Sequence, residues 1–379
     1  MREPEADTPL GYLANLLELK KRAIETLKSI VGDAGVSRAR ADHHSYRKPR
    51  PCGITIHTGL GCTNGCLYCY AIDMGFPRVD KPYTLSPEEL ALAIAMNPYV
   101  VPERTLAAFG SVVEPFLPNT ALYTASCISM VSKYLRLPCQ VSTKMVLSDE
   151  VIRRLHHADP KLSLLVTVVT ISKARTLEPN APPPELRLES AKRAMDRGIS
   201  ATLFLRPLIP GLIEYEHSAL LKLAKDYGLN TVVLGSLRVT DGILKRLSRA
   251  GLDVAKIVSR LPRAPRGPRD QVTVRCGDIK KLVKNEALKY GFTVFDTACQ
   301  ANIWSHDQYC AACDYGPCGD YSKEPKITES DVDELLEILG ARAKCEVIDR
   351  LKVVIKGKLS SRDLEVLKQA TRRVVKVLR

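Results

Sequence analysis

The strongest constraint on the fold of this 379-residue chain is an alternation of apolar, β-rich runs with helical stretches. The six runs are GITIH (53–57), TLAAFG (105–110), CQVST (139–143), LSLLVTVVT (162–170), ISATLFL (199–205) and NTVVLGS (230–236). Six strand–helix repeats predict a parallel sheet with right-handed crossovers. Because the runs lack strict polar alternation, both faces of the sheet should be covered. We therefore predict an α/β fold, a partial (β/α)6 barrel of the TIM type.

Helix signals lie between and around these runs. Ser86-Pro87-Glu88-Glu89 is a capping box with proline at the first helical position. Ser148 should begin another helix, and a third should run from Pro184 to Arg197 and end at Gly198. Residues 9–31 have the apolar spacing of an amphipathic helix. At the other end, Ser360 or Ser361 is predicted to cap a basic helix that continues through Arg379.

Composition divides the chain into four predicted parts. Residues 1–50 should form an N-terminal helix and a basic loop, SRARADHHSYRKPRP (37–51), and residues 51–260 the barrel core. Residues 261–325 should be a basic linker followed by a four-cysteine segment, and residues 326–379 a small helical piece. The stretch from Arg260 to Arg269 has four arginines, three prolines and a glycine, so it should be an exposed loop.

The net charge of +14 favours a polyanionic partner, first of all DNA or RNA. A lysine- and arginine-rich surface also fits plain solvation or a thermophile. No run approaches the roughly 18 apolar residues of a membrane span, and the start lacks a signal-type segment. We therefore expect no membrane partner and a cytoplasmic location, where twelve cysteines favour metal sites over disulfides.

The segment GCTNGCLYCY places Cys62, Cys66 and Cys69 at spacings of four and three. A closed zinc site needs four ligands, and a ferredoxin-type cluster normally takes four thiolates. Three cysteines can instead bind three irons of a 4Fe–4S cluster and leave the fourth iron open. The alternatives are a partial zinc knuckle and cysteines that occur together by chance.

Cys62-x3-Cys66-x2-Cys69, with Tyr68 before the last cysteine, resembles the radical S-adenosylmethionine (SAM) superfamily. FGSVVEPFLP (109–118), QVSTK (140–144) and RPLIPG (206–211) are similar to the branch that contains spore photoproduct lyase and its photolyase-like relatives. The resemblance implies a radical SAM barrel with a 4Fe–4S cluster and SAM as cofactors. It also implies that Cys62, Cys66 and Cys69 are catalytic cluster ligands.

The same resemblance assigns cofactor contacts position by position. Lys144 is a natural partner for the methionyl carboxylate, and strand-end capping is the alternative for several of the hydroxyl residues. The predicted cofactor-binding residues are Tyr68, Gly110, Ser111, Ser142, Lys144, Thr170, Ser172 and Arg206. In spore photoproduct lyase a cysteine returns hydrogen to the product radical, and Ser111 lies near the matching position. A serine O–H bond is too strong for that role, so dimer reversal by this route is not expected.

A second cysteine set, Cys299, Cys310, Cys313 and Cys318, has spacings of 11, 3 and 5. Four thiolates complete a site for zinc or for a second 4Fe–4S cluster, and His306 could replace one of them. Electron relay or structural support fits a fully ligated centre. Outside these sets, Cys127 and Cys139 are predicted to be small buried hydrophobes, and Glu178 with Arg187 to form a structural ion pair.

Together these features predict a radical SAM enzyme, a lyase or transferase. Its cluster would cleave SAM to a 5′-deoxyadenosyl radical that abstracts hydrogen from a nucleic acid, in repair or base modification. A low-potential donor such as ferredoxin or flavodoxin would supply the electron. The alternatives are the same chemistry on a protein or small metabolite, and a non-catalytic zinc-dependent nucleic-acid-binding protein.

Overall fold

The computed structural model describes residues 10–50 and 53–378, and these residues centre on a parallel sheet of seven strands. The strands, in chain order, are β1 Gly53–Ile56, β2 Leu106–Phe109, β3 Cys139–Thr143, β4 Ser163–Thr167, β5 Ser200–Leu208, β6 Thr231–Ser236, β7 Arg238–Val239, β8 Val272–Thr273, β9 Thr293–Phe295, β10 Tyr309–Cys310, β11 Cys318–Gly319, β12 Arg342–Ile348, β13 Lys352–Lys358 and β14 Val374–Leu378. The helices are α1 Tyr12–Ala41, α2 Pro87–Met96, α3 Ala121–Leu135, α4 Asp149–Ala158, α5 Ala174–Leu177, α6 Pro184–Met195, α7 Ile213–Asp226, α8 Asp241–Arg249, α9 Ala255–Val258, α10 Gly277–Lys289, α11 Ala298–Ser305, α12 Glu329–Ile338 and α13 Ser361–Thr371.

All six predicted runs are strands of this sheet, in the order β1-β2-β3-β4-β5-β6-β9. The α/β partial barrel is therefore confirmed. Its two edges, β1 and β9, do not pair within the described residues. The seventh strand, β9, was not predicted, because it has only three residues and follows a glycine turn. It lies parallel to β6, with Thr293 opposite Thr231.

The helix caps confirm the predicted starts. The Ser86 hydroxyl accepts from the Glu89 N–H at 3.2 Å, and the Glu89 carboxylate accepts from the Ser86 N–H at 3.0 Å. Ser148 caps α4 in the same way, accepting from the Val151 N–H. The N-terminal helix is longer than predicted, because α1 continues through a kink at Gly32 (φ 65°) as far as Ala41. The first five residues of the predicted basic loop, 37–41, are therefore helical.

The two faces of the sheet bury different cores. Outward residues such as Leu164, Leu203 and Val232 pack against the helices of the outer layer. Alternate residues face the barrel interior, where Leu165, Phe204, Val233 and Phe295 contact Ala301 of α11. Helix α11 therefore fills the interior at one end of the barrel.

The prediction of a helical piece over residues 326–379 was wrong. Besides α12 and α13, this region holds a three-stranded sheet in which β12 and β13 are antiparallel and β13 and β14 parallel. Ser360 does cap α13, but that helix ends at Thr371, where Arg372 adopts a left-handed conformation (φ 51°). The β-branched VVKVL run that follows pairs with β13 instead of continuing the helix.

The described helices include none that combines enough length and apolar character to cross a bilayer.

Candidate active site

The first cysteine set lies on a loop, residues 59–76, that follows β1 at the carboxyl end of the parallel strands. We call it the cluster loop. Cys66 is buried, whereas Cys62 and Cys69 are partly exposed. The Cys62 N–H donates to the carbonyl of Pro77 at 3.2 Å, and a Cβ on Gly61 would collide with that same carbonyl. Gly65 has a positive φ of 66°. The glycines therefore permit the tight curl that brings the three thiols together.

The three thiols of the cluster loop lie close enough to influence one another's pKa. Burial is the main cause that raises the pKa of Cys66, to about 12, and the neighbouring Cys69 and Cys62 thiols add to it. In the part of the chain that the structure describes, only Asp42, His43 and His44 have three ligand atoms within 4.8 Å of one another. At least one pair of these three sulfurs is therefore more than 4.8 Å apart. Thiolates that each hold a different iron of one cluster need not lie closer than that.

A buried carboxylate supports the cluster loop from the segment after α5. Glu178 forms an ion pair with Arg187 at 2.6 Å, with both side chains almost fully buried, and also accepts from the Tyr68 hydroxyl. The Leu67 N–H donates to the Leu177 carbonyl at 2.9 Å. The predicted structural ion pair is thus confirmed, and Tyr68 is one of its partners.

Helix α8 supports the loop from the other side, a contact the sequence did not reveal. The Arg246 guanidinium donates to the carbonyls of Leu67 (2.9 Å) and Cys69 (3.1 Å). It also pairs with Asp73 at 2.7 Å. Burial would raise the pKa of Asp73, but hydrogen bonds from Arg246 and Thr240 outweigh it and lower the pKa.

The ends of β2 and β3 lie beside the cluster loop. Gly110 has a φ of 77°, and a Cβ there would collide with the carbonyl oxygen of Ser142. The Ser142 hydroxyl donates to the Gly110 carbonyl at 2.9 Å. Ser111 is exposed, and its carbonyl accepts from the Tyr70 hydroxyl at 3.2 Å. The structure therefore brings Gly110, Ser111 and Ser142 together next to the cysteine motif.

Lys144 places a cation in the same region. Its Nζ lies 5.6 Å from the centre of the Tyr68 ring. Burial would lower the pKa of Lys144, but the Cys66 thiol and the Glu178 carboxylate outweigh it and raise the pKa. Glu114 accepts from the Thr143 hydroxyl (2.6 Å) and the Lys144 N–H (2.9 Å), and burial raises its pKa. Glu114 therefore ties the end of β2 to the end of β3.

Thr170 and Ser172 follow β4 and bind a carboxylate that the sequence did not indicate. The Thr170 hydroxyl donates to Glu216 of α7 at 2.6 Å, and the Ser172 N–H and hydroxyl donate to the same carboxylate. Burial would raise the pKa of Glu216, but these hydrogen bonds outweigh it and lower the pKa. Any contact of these two residues with a cofactor must therefore be shared with Glu216.

Arg206 and Arg238 lie at the open mouth of the barrel. Arg206 is exposed to solvent there. It also packs against the protein, because its guanidinium lies 5.9 Å from the Phe204 ring centre and its aliphatic stem contacts Gly235. Burial and the neighbouring Arg238 guanidinium lower the pKa of Arg206. Among the described residues, no carboxylate forms an ion pair with either arginine. The mouth therefore presents two guanidiniums that an anionic ligand can reach.

The second cysteine set lies at the opposite end of the barrel, around α11. Cys310 of β10 and Cys318 of β11 face each other across a two-stranded ladder. Cys310 packs with Leu106, the first residue of β2, and with Cys299 and Cys318. The Asn302 amide donates to Pro138, which precedes β3, at 3.1 Å. His306, the substitute ligand considered from the sequence, lies 3.1 Å from Asp159 instead. This end holds the amino termini of the strands, so about 15 Å of strand separates the two cysteine sets.

Comparison with known proteins defines the class. Residues 56–224 match the model of the Radical SAM superfamily. This span contains the cluster loop and the ends of the strands beside it. The chain therefore contains a radical SAM domain over these residues.

The fold is similar to that of spore photoproduct lyase. A variant of that enzyme with bound AdoMet and dinucleoside spore photoproduct has a TM-score of 0.55 and 16% identity, covering 76% of this chain and 100% of the lyase. Another structure, complexed with the dinucleoside spore photoproduct, has a TM-score of 0.51 and 16% identity, covering 74% and 95%. ORF301 of Acidianus two-tailed virus is 27% identical over 173 residues, 42% of this chain. The chain spans 56% of the length of that viral protein.

Proposed function

We propose that this protein is a radical SAM enzyme that acts on nucleic acid, DNA or RNA, in repair or base modification. Cys62, Cys66 and Cys69 would hold the 4Fe–4S cluster. When bound, the cluster and SAM supply a 5′-deoxyadenosyl radical that abstracts hydrogen from the substrate.

The chain's own residues would hold and orient SAM. Lys144 offers an ammonium beside Tyr68 and the buried Cys66, where it can bind the methionyl carboxylate. Gly110 and Ser111 expose peptide groups at the end of β2, a position suited to the methionyl ammonium. Glu114 keeps this strand end fixed to β3 through its hydrogen bonds to Thr143 and Lys144.

The observation that carries the nucleic-acid proposal is the positive charge of the barrel mouth. Arg206 and Arg238 have no carboxylate partner among the described residues. Beside them, the insertion between β7 and β8 carries the arginine- and proline-rich stretch 260–269. Two of its arginines are paired, Arg260 with Asp278 and Arg263 with Asp270. Arg266 and Arg269 form no ion pair within the described part of the chain. Guanidiniums of this kind hold phosphates without reading sequence.

Two features refine the proposal. Similar solved structures of spore photoproduct lyase hold a dinucleoside, which supports a nucleotide-like substrate at this barrel mouth. Ser111 is exposed beside the cluster loop, near the position where the lyase uses a cysteine. A serine cannot easily return hydrogen to a product radical. The reaction should therefore end differently from dimer reversal.

We also propose that Cys299, Cys310, Cys313 and Cys318 hold a second metal centre, zinc or 4Fe–4S. A low-potential donor such as ferredoxin or flavodoxin would deliver the electron that starts the reaction.

Anaerobic turnover with dithionite, SAM and deuterated DNA or RNA oligonucleotides tests the proposed substrate class. We expect deuterium to appear in 5′-deoxyadenosine with one of these nucleic acids. If no nucleic acid transfers deuterium and a deuterated protein or small metabolite does, the nucleic-acid proposal is wrong and the alternative substrate class is correct.

The catalytic role of the cluster loop is tested by Cys66→Ala. Because this cysteine would hold one of three ligated irons, we expect 5′-deoxyadenosine to fall below detection and about four irons per chain to be lost. Cys127→Ala is the matched control, since Cys127 is a buried cysteine of α3 away from the loop. Full turnover by the Cys66 variant would contradict the assignment.

A further inference from the structure

The second cysteine set lies against an excess of buried positive charge. Arg104, Arg372 and Arg373 are each at most 3% exposed. Arg104 and Arg373 share one carboxylate, Glu324, at 2.5 and 3.3 Å. Among the described residues, Arg372 has no carboxylate partner. Three buried guanidiniums therefore face one buried carboxylate.

Arg372 lies beside the second cysteine set. Together with Arg104, Lys368 and Cys310, it lines a small cavity. A backbone hydrogen bond holds Arg372 next to Cys310, because the N–H of the following residue, Ala311, donates to the Arg372 carbonyl at 2.7 Å. The Arg372 guanidinium itself donates to neutral acceptors: the carbonyls of Arg104 (2.8 Å) and Glu103 (3.2 Å), and the Gln308 amide oxygen (2.7 Å).

An uncompensated buried charge is strongly unfavourable, so an anion is expected beside these arginines. Four thiolates carry two more negative charges than either Zn²⁺ or an oxidised 4Fe–4S core supplies. A centre on the four cysteines would therefore carry a net charge of about −2, which matches the excess on the arginines.

The spacing of the sulfurs favours a cluster over a single zinc ion. The sulfurs of a tetrahedral zinc site are about 3.8 Å apart, given Zn–S bonds of about 2.3 Å. In the described residues, no three of these four sulfurs lie within 4.8 Å of one another. The four cysteines nevertheless lie close together. Cys310 and Cys318 pair across the ladder, and Cys299 packs against them. A Cβ on Gly316 would lie 3.2 Å from the Cys310 carbonyl oxygen and 3.3 Å from that of Cys313. Wider spacing around one centre fits a polynuclear cluster.

We infer that the second cysteine set, Cys299, Cys310, Cys313 and Cys318, holds a 4Fe–4S cluster. The buried guanidiniums of Arg104, Arg372 and Arg373 balance the negative charge of this cluster. Arg372 acts as the positioning residue. This inference specifies the second centre of the proposed function and does not depend on the substrate. A cation beside a cluster stabilises its reduced, more negative form. Arg372 should therefore raise the cluster's reduction potential.

The test uses the full chain with Cys62→Ala, Cys66→Ala and Cys69→Ala together, so that only the second centre remains. Anaerobic reconstitution should give about four irons and four sulfides per chain and a signal from the reduced cluster in electron paramagnetic resonance. In this background Arg372→Gln should move the midpoint potential to a more negative value. Arg372→Lys, which keeps the charge, should stay near the parent, and so should Arg342→Gln, an exposed arginine of β12.

Two outcomes would overturn the inference. One is a single zinc with no bound iron in the triple-cysteine background. The other is an unchanged potential in Arg372→Gln. If Arg372→Gln does not fold, Lys368→Gln removes a partly exposed charge from the same cavity and should shift the potential in the same direction. SAM takes no part in these measurements, so their result is separate from the test of the proposed function.

Discussion

At the scale of single residues, the cluster loop depends on a carboxylate that never reaches solvent. Glu178 is 1% exposed, pairs with Arg187 and accepts from Tyr68, the residue directly before Cys69. Removing one partner of a buried pair leaves an uncompensated charge, which costs more than the pair itself contributes.

We therefore predict that Arg187→Met lowers the free energy of unfolding by about 3–5 kcal/mol. Chemical denaturation measures this. Arg193→Met on the same helix is the control, because the Arg193–Asp149 pair is largely exposed and should contribute no more than about 1 kcal/mol. Equal losses in the two variants would show that the buried pair has no special role.

Residues close in sequence could be predicted, and residues that meet only through the fold could not. The cysteine spacing and the Glu178–Arg187 pair follow from local sequence. Arg246 and Asp73 are 173 positions apart, and Glu216 is 46 positions from Thr170. No local pattern marks these partners, because a carboxylate on the face of a helix is ordinarily solvated.

At the scale of elements, the junction between α1 and β1 is a network of neutral histidines. His44 accepts from the His57 N–H at 3.1 Å, so its proton lies on Nδ1, 2.7 Å from Asp42. Burial, then the nearby His44, lowers the pKa of His57 to about 3, and burial likewise lowers that of His43 to about 4. Tyr83 donates to Asp42 at 2.6 Å and completes the network.

This network predicts acid sensitivity. The unfolded histidines bind protons near pH 6.5, whereas the folded ones do so only near pH 3–4. The unfolded state therefore binds more protons between these values, and stability should fall as the pH decreases from about 6.5 to 4.

Thermal unfolding as a function of pH measures this effect. His57→Asn should reduce the slope, whereas His157→Asn, an exposed histidine of α4, should not. A slope that His57→Asn leaves unchanged would contradict the interpretation.

The strands of the barrel could be predicted because each is a long apolar run covered on both faces. The short β9 and the terminal β14 could not, since three residues carry little periodicity and VVKVL suits a helix or a strand until a partner is known. β9 forms a strand because it pairs with β6, and β14 forms a strand because it pairs with β13.

At the scale of the whole molecule, the barrel separates two positively charged environments. Arg206 and Arg238 are exposed at the mouth of the barrel. At the opposite end, which holds the amino termini of the strands, Arg104, Arg372 and Arg373 are buried beside the second cysteine set. The +14 net charge predicted a polyanionic partner but could not show that part of this charge is internal. Of these two environments, the mouth is the one that is open to solvent.

We therefore predict salt-sensitive binding of nucleic acid at the mouth. Arg238→Gln should reduce the slope of log affinity against log salt by about 1, the loss of one phosphate contact. Fluorescence anisotropy with a labelled oligonucleotide measures this slope. Arg153→Gln, an exposed arginine of α4 on the outer layer, is the control and should leave it unchanged. Equal slopes in the two variants would place the contact elsewhere.

The central claim is that the cluster on Cys62, Cys66 and Cys69 has one iron open to SAM. The most direct test is electron paramagnetic resonance of the reduced protein, with and without SAM, in a Cys313→Ala background that removes the second centre. We expect SAM to change the spectrum of the remaining cluster. A spectrum that SAM leaves unaltered would contradict it.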